Sequence, residues 1–344
     1  METAKELFWI PRDDTRYVYS VAVVRALEHT LLRRKTLEAM ARAESAQEAL
    51  QELGETSYAR FMSSGMTEAS CELILRDVLL DTYSVMQRLM LDRELERAIL
   101  SIHDYHNLKA VIESRLDEKE SPVGTVPYGL IPVQDIALAV DSGVWHDIPE
   151  YLGHAYRAAS KAYERNKDPR VFEMIIDLHA LEHRVDPLLK AGDRSVRIYA
   201  EAFADVTNIK LLIRLNRLSP DLTTLEWAFC NRGSLPFGLF SSLLGKGSPA
   251  FIEHFSSTAY AKALREGLTY LEEKESYSVL DRELENILIG YLQQTKFTVF
   301  GPAPLISYVF AREHEVRMVR LVMSAKINRI PTERIVARLS MLYV

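Results

Sequence analysis

The sequence DYHNLKAVI at residues 104–112 returns as DVTNIKLLI at residues 205–213, which is 101 positions further along the chain. Both copies hold Asp, Asn, an aliphatic residue and Lys in the same order, and a looser third copy follows at Glu315-Val316-Arg317. Repetition with a fixed period is typical of chains built from similar structural units. The repeat therefore predicts such units, each about one hundred residues long.

Two further marks recur with nearly the same period. An aliphatic residue followed by proline comes after each copy, at Ile131-Pro132, Leu235-Pro236 and Ile330-Pro331. A small residue followed by tyrosine comes at Ser57-Tyr58, Ala155-Tyr156 and Ala259-Tyr260. Three marks in one order predict three similar helical units. We place them at residues 1–140, 141–245 and 246–344, with the third unit shortened between Arg317 and Pro331.

Composition predicts an all-α fold. Glycine and proline contribute only 14 and 13 of the 344 residues, roughly 8% against a usual ~12%. A chain so poor in turn-forming residues cannot easily supply the many tight turns of a sandwich, barrel or propeller. Apolar residues also recur at helical spacing, most clearly in the stripe Leu284, Ile287, Leu288, Tyr291 and Leu292.

Local signals predict where helices begin and where loops lie. Ser45 and Glu48 match a capping box, so we expect a helix to start there, and Asp104 is a candidate N-cap for the amphipathic segment after it. Glycine, proline and serine concentrate at residues 119–132 and 233–249, which we expect to be loops. The apolar residues Phe237, Leu239, Phe240, Leu243 and Leu244 suit a short buried helix better than an exposed contact.

Charge and cysteine content exclude several classes of protein. The formal net charge is −6, whereas nucleic-acid binders carry basic domains or stripes. Cys71 and Cys230 lie far apart without a C-x-x-C motif, so neither a disulfide framework nor a zinc knuckle is indicated. The longest nearly uncharged apolar stretch, at residues 297–311, is broken by Gly301 and two prolines and is too short to span a bilayer. We expect a cytoplasmic protein or one that is peripheral to a membrane.

No motif in the sequence predicts an active site. His179-Ala-Leu-Glu182-His183 fits the H-x-x-E-H zinc pattern, but three fixed positions occur by chance on polar helices, and no third ligand is evident. Gly245-Lys246-Gly247 lacks the rest of a phosphate-binding loop. We therefore expect a protein that is not an enzyme and that needs no catalytic residue, cofactor or metal.

The residues that carry the repeats resemble those of a known family, the C subunits of the V/A-type ATP synthases, which are the counterparts of the d subunit of the eukaryotic V-ATPase. The N-terminal stretch at residues 17–32, the run Leu53-x-x-Thr56-x-Tyr58 and the two Asp-x-x-Asn-aliphatic-Lys marks are similar to that family. The C-terminal part is the most specific, with FGP at 300–302, PLISY at 304–308, AREHEVR at 311–317, Lys326 and RIVARL at 334–339.

The resemblance implies a funnel of three similar helical domains around a pseudo-threefold axis. In that family the protein is a non-catalytic rotor adaptor, a socket that joins the central shaft to the membrane proteolipid ring and transmits torque for proton or sodium transport. The implied partners are the shaft subunits and the ring, and the membrane part of the stator is a further candidate. The implied location is peripheral to the membrane, and we expect the isolated chain to be a monomer.

Polar residues at the repeat marks are the candidate partner-binding residues. We expect Asn107, Lys109, Asn208, Lys210 and Arg317 to point toward the central opening, where a shaft would dock. Helix capping and solvated lysines explain the same residues equally well. The third mark departs from the other two, because Glu315 stands where they have asparagine.

Two other functions stay open at the level of sequence. Composition alone equally allows a helical-repeat scaffold that is unrelated to ATPases. A helical zinc hydrolase built on His179, Glu182 and His183 is the remaining alternative, and metal analysis of the purified protein would decide it.

Overall fold

The computed structural model describes residues 14–63, 65–119, 121–218 and 220–344, and over these residues the chain is helical without a β-strand. The all-α prediction is confirmed. The described residues form sixteen α-helices: α1 (Val18–Glu28), α2 (Arg34–Arg42), α3 (Ala46–Gly54), α4 (Cys71–Leu89), α5 (Arg93–Leu116), α6 (Val133–Ser142), α7 (Glu150–Asn166), α8 (Pro169–Lys190), α9 (Arg194–Leu218), α10 (Leu222–Ala228), α11 (Phe237–Leu243), α12 (Ser248–His254), α13 (Ala261–Lys274), α14 (Ser278–Gln294), α15 (Ala303–Ile327) and α16 (Thr332–Arg338).

Three long helices, α5, α9 and α15, organise the fold. Helix α5 packs against α6 and α8, whereas α9 packs against α8 and α14. Helix α15 packs against α1, α2, α3 and α4, which all come from the beginning of the chain. The third long helix therefore finds most of its packing partners in the first ninety residues, and the chain closes on itself. The unit boundaries at residues 140 and 245 stay a prediction.

One large apolar core joins the beginning of the chain to its end. Tyr17, Leu37 and Met40 from the first helices lie in the same cluster as Leu305 and Val319 of α15. A second cluster lies between α5, α6, α7 and α8. Full burial of one aliphatic or aromatic side chain contributes about 1.5–3 kcal/mol, so the closure of the chain rests mainly on apolar packing.

The local predictions had mixed outcomes. Ser45 caps α3, because its hydroxyl accepts a hydrogen bond from the Glu48 N–H at 3.1 Å. Asp104 is not an N-cap, because it lies inside α5 and is fully buried. The predicted loop at residues 233–249 is interrupted by α11, and there the prediction of a short buried helix is confirmed, since Phe240 and Leu243 are buried.

Two properties of the described part of the chain bear on its environment. Cys71 and Cys230 are free thiols, and both are buried. Among the residues that the structure describes, no helix combines the length and the apolar character needed to cross a bilayer.

Candidate functional site

Asp205, at the second repeat mark, holds the connection between α9 and α11. Its buried carboxylate accepts four hydrogen bonds, from the Ser234 N–H at 3.2 Å, the Ser234 hydroxyl at 2.6 Å, the Leu235 N–H at 3.1 Å and the Tyr260 hydroxyl at 3.0 Å. One turn further on, Asn208 exchanges two hydrogen bonds with the backbone of Cys230, at 2.9 and 3.0 Å. The mark therefore fastens the long helix to the chain that follows it.

Asp104, at the first mark, does the same for α5. Its carboxylate accepts from the Ile131 N–H at 3.0 Å and from the Tyr151 hydroxyl at 2.6 Å. Asn107 pairs with the backbone of Val126 through bonds of 2.8 and 3.0 Å. Burial raises the pKa of Asp104, and the hydrogen bonds to its carboxylate act in the opposite direction. The aliphatic residue of the aliphatic-Pro mark, Ile131, thus donates the backbone hydrogen bond that the Asp104 carboxylate accepts.

Of the three small-residue-Tyr marks, the middle one, Ala155-Tyr156, does not hold the tyrosine that binds the carboxylate. Tyr58 and Tyr260 donate to carboxylates of α15 and α9, and the corresponding donor to the α5 carboxylate, Asp104, is Tyr151 of α7. Tyr156 instead stacks on Trp145, with ring centroids 4.5 Å apart. The assignment of Ala155-Tyr156 was therefore wrong by five residues, because Tyr151 lies in the first turn of α7.

Two glycines make room for these carboxylates. A Cβ atom built on Gly129 would overlap Oδ1 of Asp104, and one built on Gly233 would overlap Oδ1 of Asp205. Each glycine lies two residues before the aliphatic residue whose N–H the aspartate accepts. Glycine is needed here because the backbone passes directly against the carboxylate.

The third long helix keeps the same connection with different residues. Glu315 of α15 accepts from the Leu32 N–H at 2.5 Å and from the Tyr58 hydroxyl at 2.8 Å. Arg312, which stands at the aspartate position, is paired with Glu315 in the buried interior and donates to the Thr30 hydroxyl at 2.8 Å. A longer acid one turn further along the helix therefore replaces the aspartate.

The third aliphatic-Pro mark, Ile330-Pro331, was assigned to the wrong residues. Ile330 donates its N–H to the carbonyl of Ala325, and Pro331 precedes α16, so neither contacts Glu315. Leu32-Arg33, just before α2, occupies the place that Ile131-Pro132 and Leu235-Pro236 hold in the other units. Leu32 and Tyr58, and not the residues after Arg317, therefore bind the carboxylate of the third long helix.

Four largely buried polar side chains, Tyr83, His103, Arg184 and Glu313, form the central cluster, which joins α4, α5, α8 and α15. Arg184 of α8 donates to Glu313 of α15 at 2.8 Å, and both side chains are about nine-tenths buried. The Tyr83 hydroxyl of α4 donates to the other Glu313 oxygen at 2.9 Å, and Nε2 of His103 lies 2.9 Å from that hydroxyl.

The electrostatics of the central cluster fix its protonation. Burial opposes the ionisation of Glu313, but the Arg184 charge outweighs it, so the pKa of Glu313 is lowered. Burial lowers the pKa of His103 to about 4. Because Tyr83 donates its proton to Glu313, the neutral imidazole of His103 must donate Nε2–H to Tyr83. A continuous series of hydrogen bonds thus joins side chains from α4, α5, α8 and α15.

Among the clefts of the described residues, one lies where the long helices begin and another lies beside the central cluster. The axial cleft, about 1250 Å³, lies where the three long helices begin. Its walls include Asp92 and Arg93, Gly192 and Asp193, and residues 297–302. The arginine cleft, about 480 Å³, lies beside the central cluster, and four arginines contribute to its walls. Along α5 the lining of the axial cleft ends at Leu95 and that of the arginine cleft begins at Ile102, so the two clefts are about 10 Å apart at 1.5 Å per residue. The lining of the arginine cleft includes Arg76, Arg184, Arg317 and Arg320.

The structure places the five predicted partner-binding residues in two environments. Asn107 and Asn208 are fully buried and bind backbone. The Lys109 ammonium lies 2.5 Å from Asp177, and that of Lys210 lies 3.1 Å from Asp281. Arg317 lies 3.4 Å from Glu285 and keeps half of its side chain exposed. The lysines are one-quarter exposed or less, so Arg317 offers the most accessible charge of the five.

The H-x-x-E-H segment is engaged in other contacts. His183 packs against the ring of Tyr151 at 4.4 Å, and His179 packs edge-on against His154 at 5.2 Å. Glu182 lies 3.7 Å from Arg232. Within the described ranges, no three His, Cys, Asp or Glu side chains converge in a way that could hold a metal ion.

The chain is similar to the C subunits of several A-type ATP synthases and of a V-type sodium ATPase. A relative in Methanocaldococcus jannaschii, the C subunit of an A-type ATP synthase, is 21% identical over 96% of this chain and 88% of its own length. The corresponding A-type ATP synthase C subunit of Pyrococcus furiosus is 20% identical over 93% of this chain and 89% of its own length. The C subunit of the V-type sodium ATPase of Enterococcus hirae is 22% identical over 70% of this chain and 73% of its own length.

The family comparison covers almost the whole described framework. The model of the ATP synthase (C/AC39) subunit matches residues 20–338, which include all three long helices and both ends of the chain closure. The chain therefore belongs to the ATP synthase (C/AC39) subunit family.

Proposed function

We propose that this chain is the non-catalytic rotor adaptor of a V/A-type ATP synthase, a socket that joins the central shaft to the membrane proteolipid ring. The match to the family over residues 20–338 is the observation that carries the proposal. The relatives named as C subunits of A-type ATP synthases and of a V-type sodium ATPase support it. The proposed place of action is the cytoplasmic side of the membrane, as a peripheral part of the complex.

The geometry suits a part that transmits torque. Such a part must not shear, and here each long helix is fastened to another segment of the chain through a buried carboxylate, at Asp104, Asp205 and Glu315. Close-packed helices transmit strain instead of absorbing it. The closure of the third unit by the beginning of the chain leaves no long helix that is held on one side only.

The two clefts give the molecule two different faces for two different partners. The axial cleft lies at the start of the long helices, and the arginine cleft begins about 10 Å further along α5. The central cluster lies at the arginine cleft, where it ties α15 to α5 and α8 beneath the surface that a partner would load. An adaptor between a shaft and a ring of identical subunits needs two dissimilar surfaces, because its partners differ in symmetry.

Within this proposal, Lys109, Lys210 and Arg317 are the residues through which the shaft would be held. Asn107 and Asn208 serve it indirectly, because they fix the backbone around the helices that carry the lysines. Electrostatic contacts of this kind raise the association rate and weaken with salt.

Co-purification tests the proposal directly. The tagged chain, expressed with its shaft and proteolipid subunits and extracted in mild detergent, should retain both partners. Absence of both partners from the complex would support the rival hypothesis of an unrelated helical scaffold. Stoichiometric zinc in the purified chain, together with hydrolytic activity that is lost in Glu182→Gln, would instead support the hydrolase.

A further inference from the structure

The three loops that precede the long helices form the rim of the axial cleft, and one of them differs from the other two. Residues 90–92 and 191–193 make the first two connections in three residues each, whereas residues 295–302 take eight to make the third. We call this third connection the long loop. It exposes two apolar side chains, Phe297 at 90% and Val299 at 59%. No other large apolar side chain of the described residues is as exposed as Phe297.

The long loop is held in place by the rest of the molecule. Arg25 donates to the carbonyls of Thr295 and Thr298, each at 2.7 Å, and Gly301 donates its N–H to the carbonyl of Asp14 at 3.1 Å. The exposure of Phe297 therefore belongs to a backbone that is already fixed at both sides. A pre-ordered apolar group binds a partner at a low cost in conformational entropy.

The surroundings of the long loop favour a protein partner over a lipid surface. The axial cleft is lined by four acids and four bases, so its formal charge is zero. Attachment to an anionic bilayer would need an excess of basic residues. An aromatic anchor ringed by polar groups of both signs is instead the anatomy of a protein interface. The charged residues of the lining are Asp14, Asp92, Glu94, Asp193, Arg16, Arg93, Lys190 and Arg194.

The asymmetry of the rim indicates what kind of protein fits. A ring of identical subunits presents the same groove between neighbours once for every subunit. Three equal loops would approach several grooves equally, whereas a single long loop selects one of them and fixes the rotational register.

We propose that Phe297 and Val299 enter a groove between two adjacent proteolipid subunits and so lock the axial-cleft face to the ring. This inference rests on the proposed function, and it adds the face and the side chains that contact the ring.

The test uses the full-length double variant Phe297→Ser/Val299→Ser. Leu138→Ser is the matched control, because Leu138 is 67% exposed on α6 and does not line the axial cleft. Binding of each chain to immobilised, detergent-solubilised proteolipid ring and to purified shaft is measured in parallel. We expect the double variant to bind the ring at least tenfold more weakly and the shaft within twofold of the unmodified chain, with the control unchanged in both.

Each alternative result has a distinct meaning. Unchanged ring affinity overturns the inference, and so does loss of shaft binding with ring binding kept, because the long loop would then face the shaft. Binding to vesicles of phosphatidylglycerol that the double variant abolishes, without any effect on the ring, would make the long loop a lipid anchor and also overturn it. If the unmodified chain binds neither partner, the proposed function itself fails.

Discussion

Tyr260→Phe offers the sharpest test of the connection at Asp205. The substitution removes one hydroxyl and leaves the ring, which is 4% exposed, in its packed position. The lost bond of 3.0 Å ends on a fully buried carboxylate, and a hydrogen bond to a charged group contributes about 1.5–3 kcal/mol. Because three other donors remain on Asp205, the free energy of unfolding should fall by about that amount and the fold should persist.

Urea unfolding followed by far-ultraviolet circular dichroism measures the effect. Tyr19→Phe is the control, since Tyr19 is 74% exposed and should change stability by less than about 0.5 kcal/mol. Asp205→Asn should cost more, roughly 3–5 kcal/mol, because an amide turns a donor toward groups that also donate. The double variant should then show clear coupling between the two positions.

The same design distinguishes Tyr151 from Tyr156. Tyr151→Phe should destabilise the chain as Tyr260→Phe does, because its hydroxyl donates to Asp104 at 2.6 Å. Tyr156→Phe should be nearly neutral. If Tyr260→Phe costs less than about 0.5 kcal/mol, or if its effect adds independently to that of Asp205→Asn, the carboxylate does not hold the connection and the reasoning is wrong.

Four further predictions follow from the buried polar contacts. Gly233→Ala should lower the free energy of unfolding by about 2–4 kcal/mol, because its Cβ displaces a hydrogen-bonded carboxylate, and urea unfolding measures it. Arg184→Met should lower the free energy of unfolding by about 3–5 kcal/mol, since it leaves the Glu313 carboxylate without its cation. Adding Glu313→Gln should recover part of the loss. The pKa of His103 is lowered to about 4, so the unfolded chain takes up a proton first. Stability should therefore fall as the pH drops from about 6.5 toward 4, by up to about 3 kcal/mol, and His103→Gln should remove this slope in unfolding curves. Lys210→Glu should weaken shaft binding at low salt. The swap Lys210→Glu/Asp281→Lys, which restores the pair with position 281 but not the one with Glu285, should not recover the affinity if Lys210 itself contacts the shaft.

The positions of the long helices that carry the buried carboxylates could be predicted from the sequence, because the same residues recur at a fixed spacing. The Asp-x-x-Asn marks at residues 104 and 205 correctly indicated equivalent positions on two long helices. Their role was not predicted, since an aspartate before an amphipathic segment looks the same as an N-cap until the partner is seen. The glycines at 129 and 233 carried the missing signal, because each stands two residues before the aliphatic-Pro mark.

The third unit could not be derived from the order of residues. Its mark uses Arg312 and Glu315, and the N–H that the glutamate accepts belongs to Leu32, 283 positions earlier in the chain. A search that expects each unit to be contiguous looks for the third mark after residue 317 and finds Pro331. Only the packing of α15 against α2 and α3 shows that the chain closes on its own beginning.

The central cluster was missed for a similar reason. No pattern in the sequence singled out His103, and Glu313 was only part of the run at 311–317. The four residues lie between 20 and 230 positions apart along the hydrogen bonds that join them, so no local pattern connects them. Their convergence depends on how α4, α5, α8 and α15 pack.

The most direct test of the adaptor function asks whether one molecule of this chain holds both partners at once. The purified chain is mixed with purified shaft and with the detergent-solubilised proteolipid ring, and the mass of the resulting particles is measured. The two-faced adaptor predicts a ternary particle that contains ring, adaptor and shaft, and that no longer forms when the adaptor is left out. Particles that hold the ring or the shaft but never both would show that the partners compete for one surface, and that result would contradict the account.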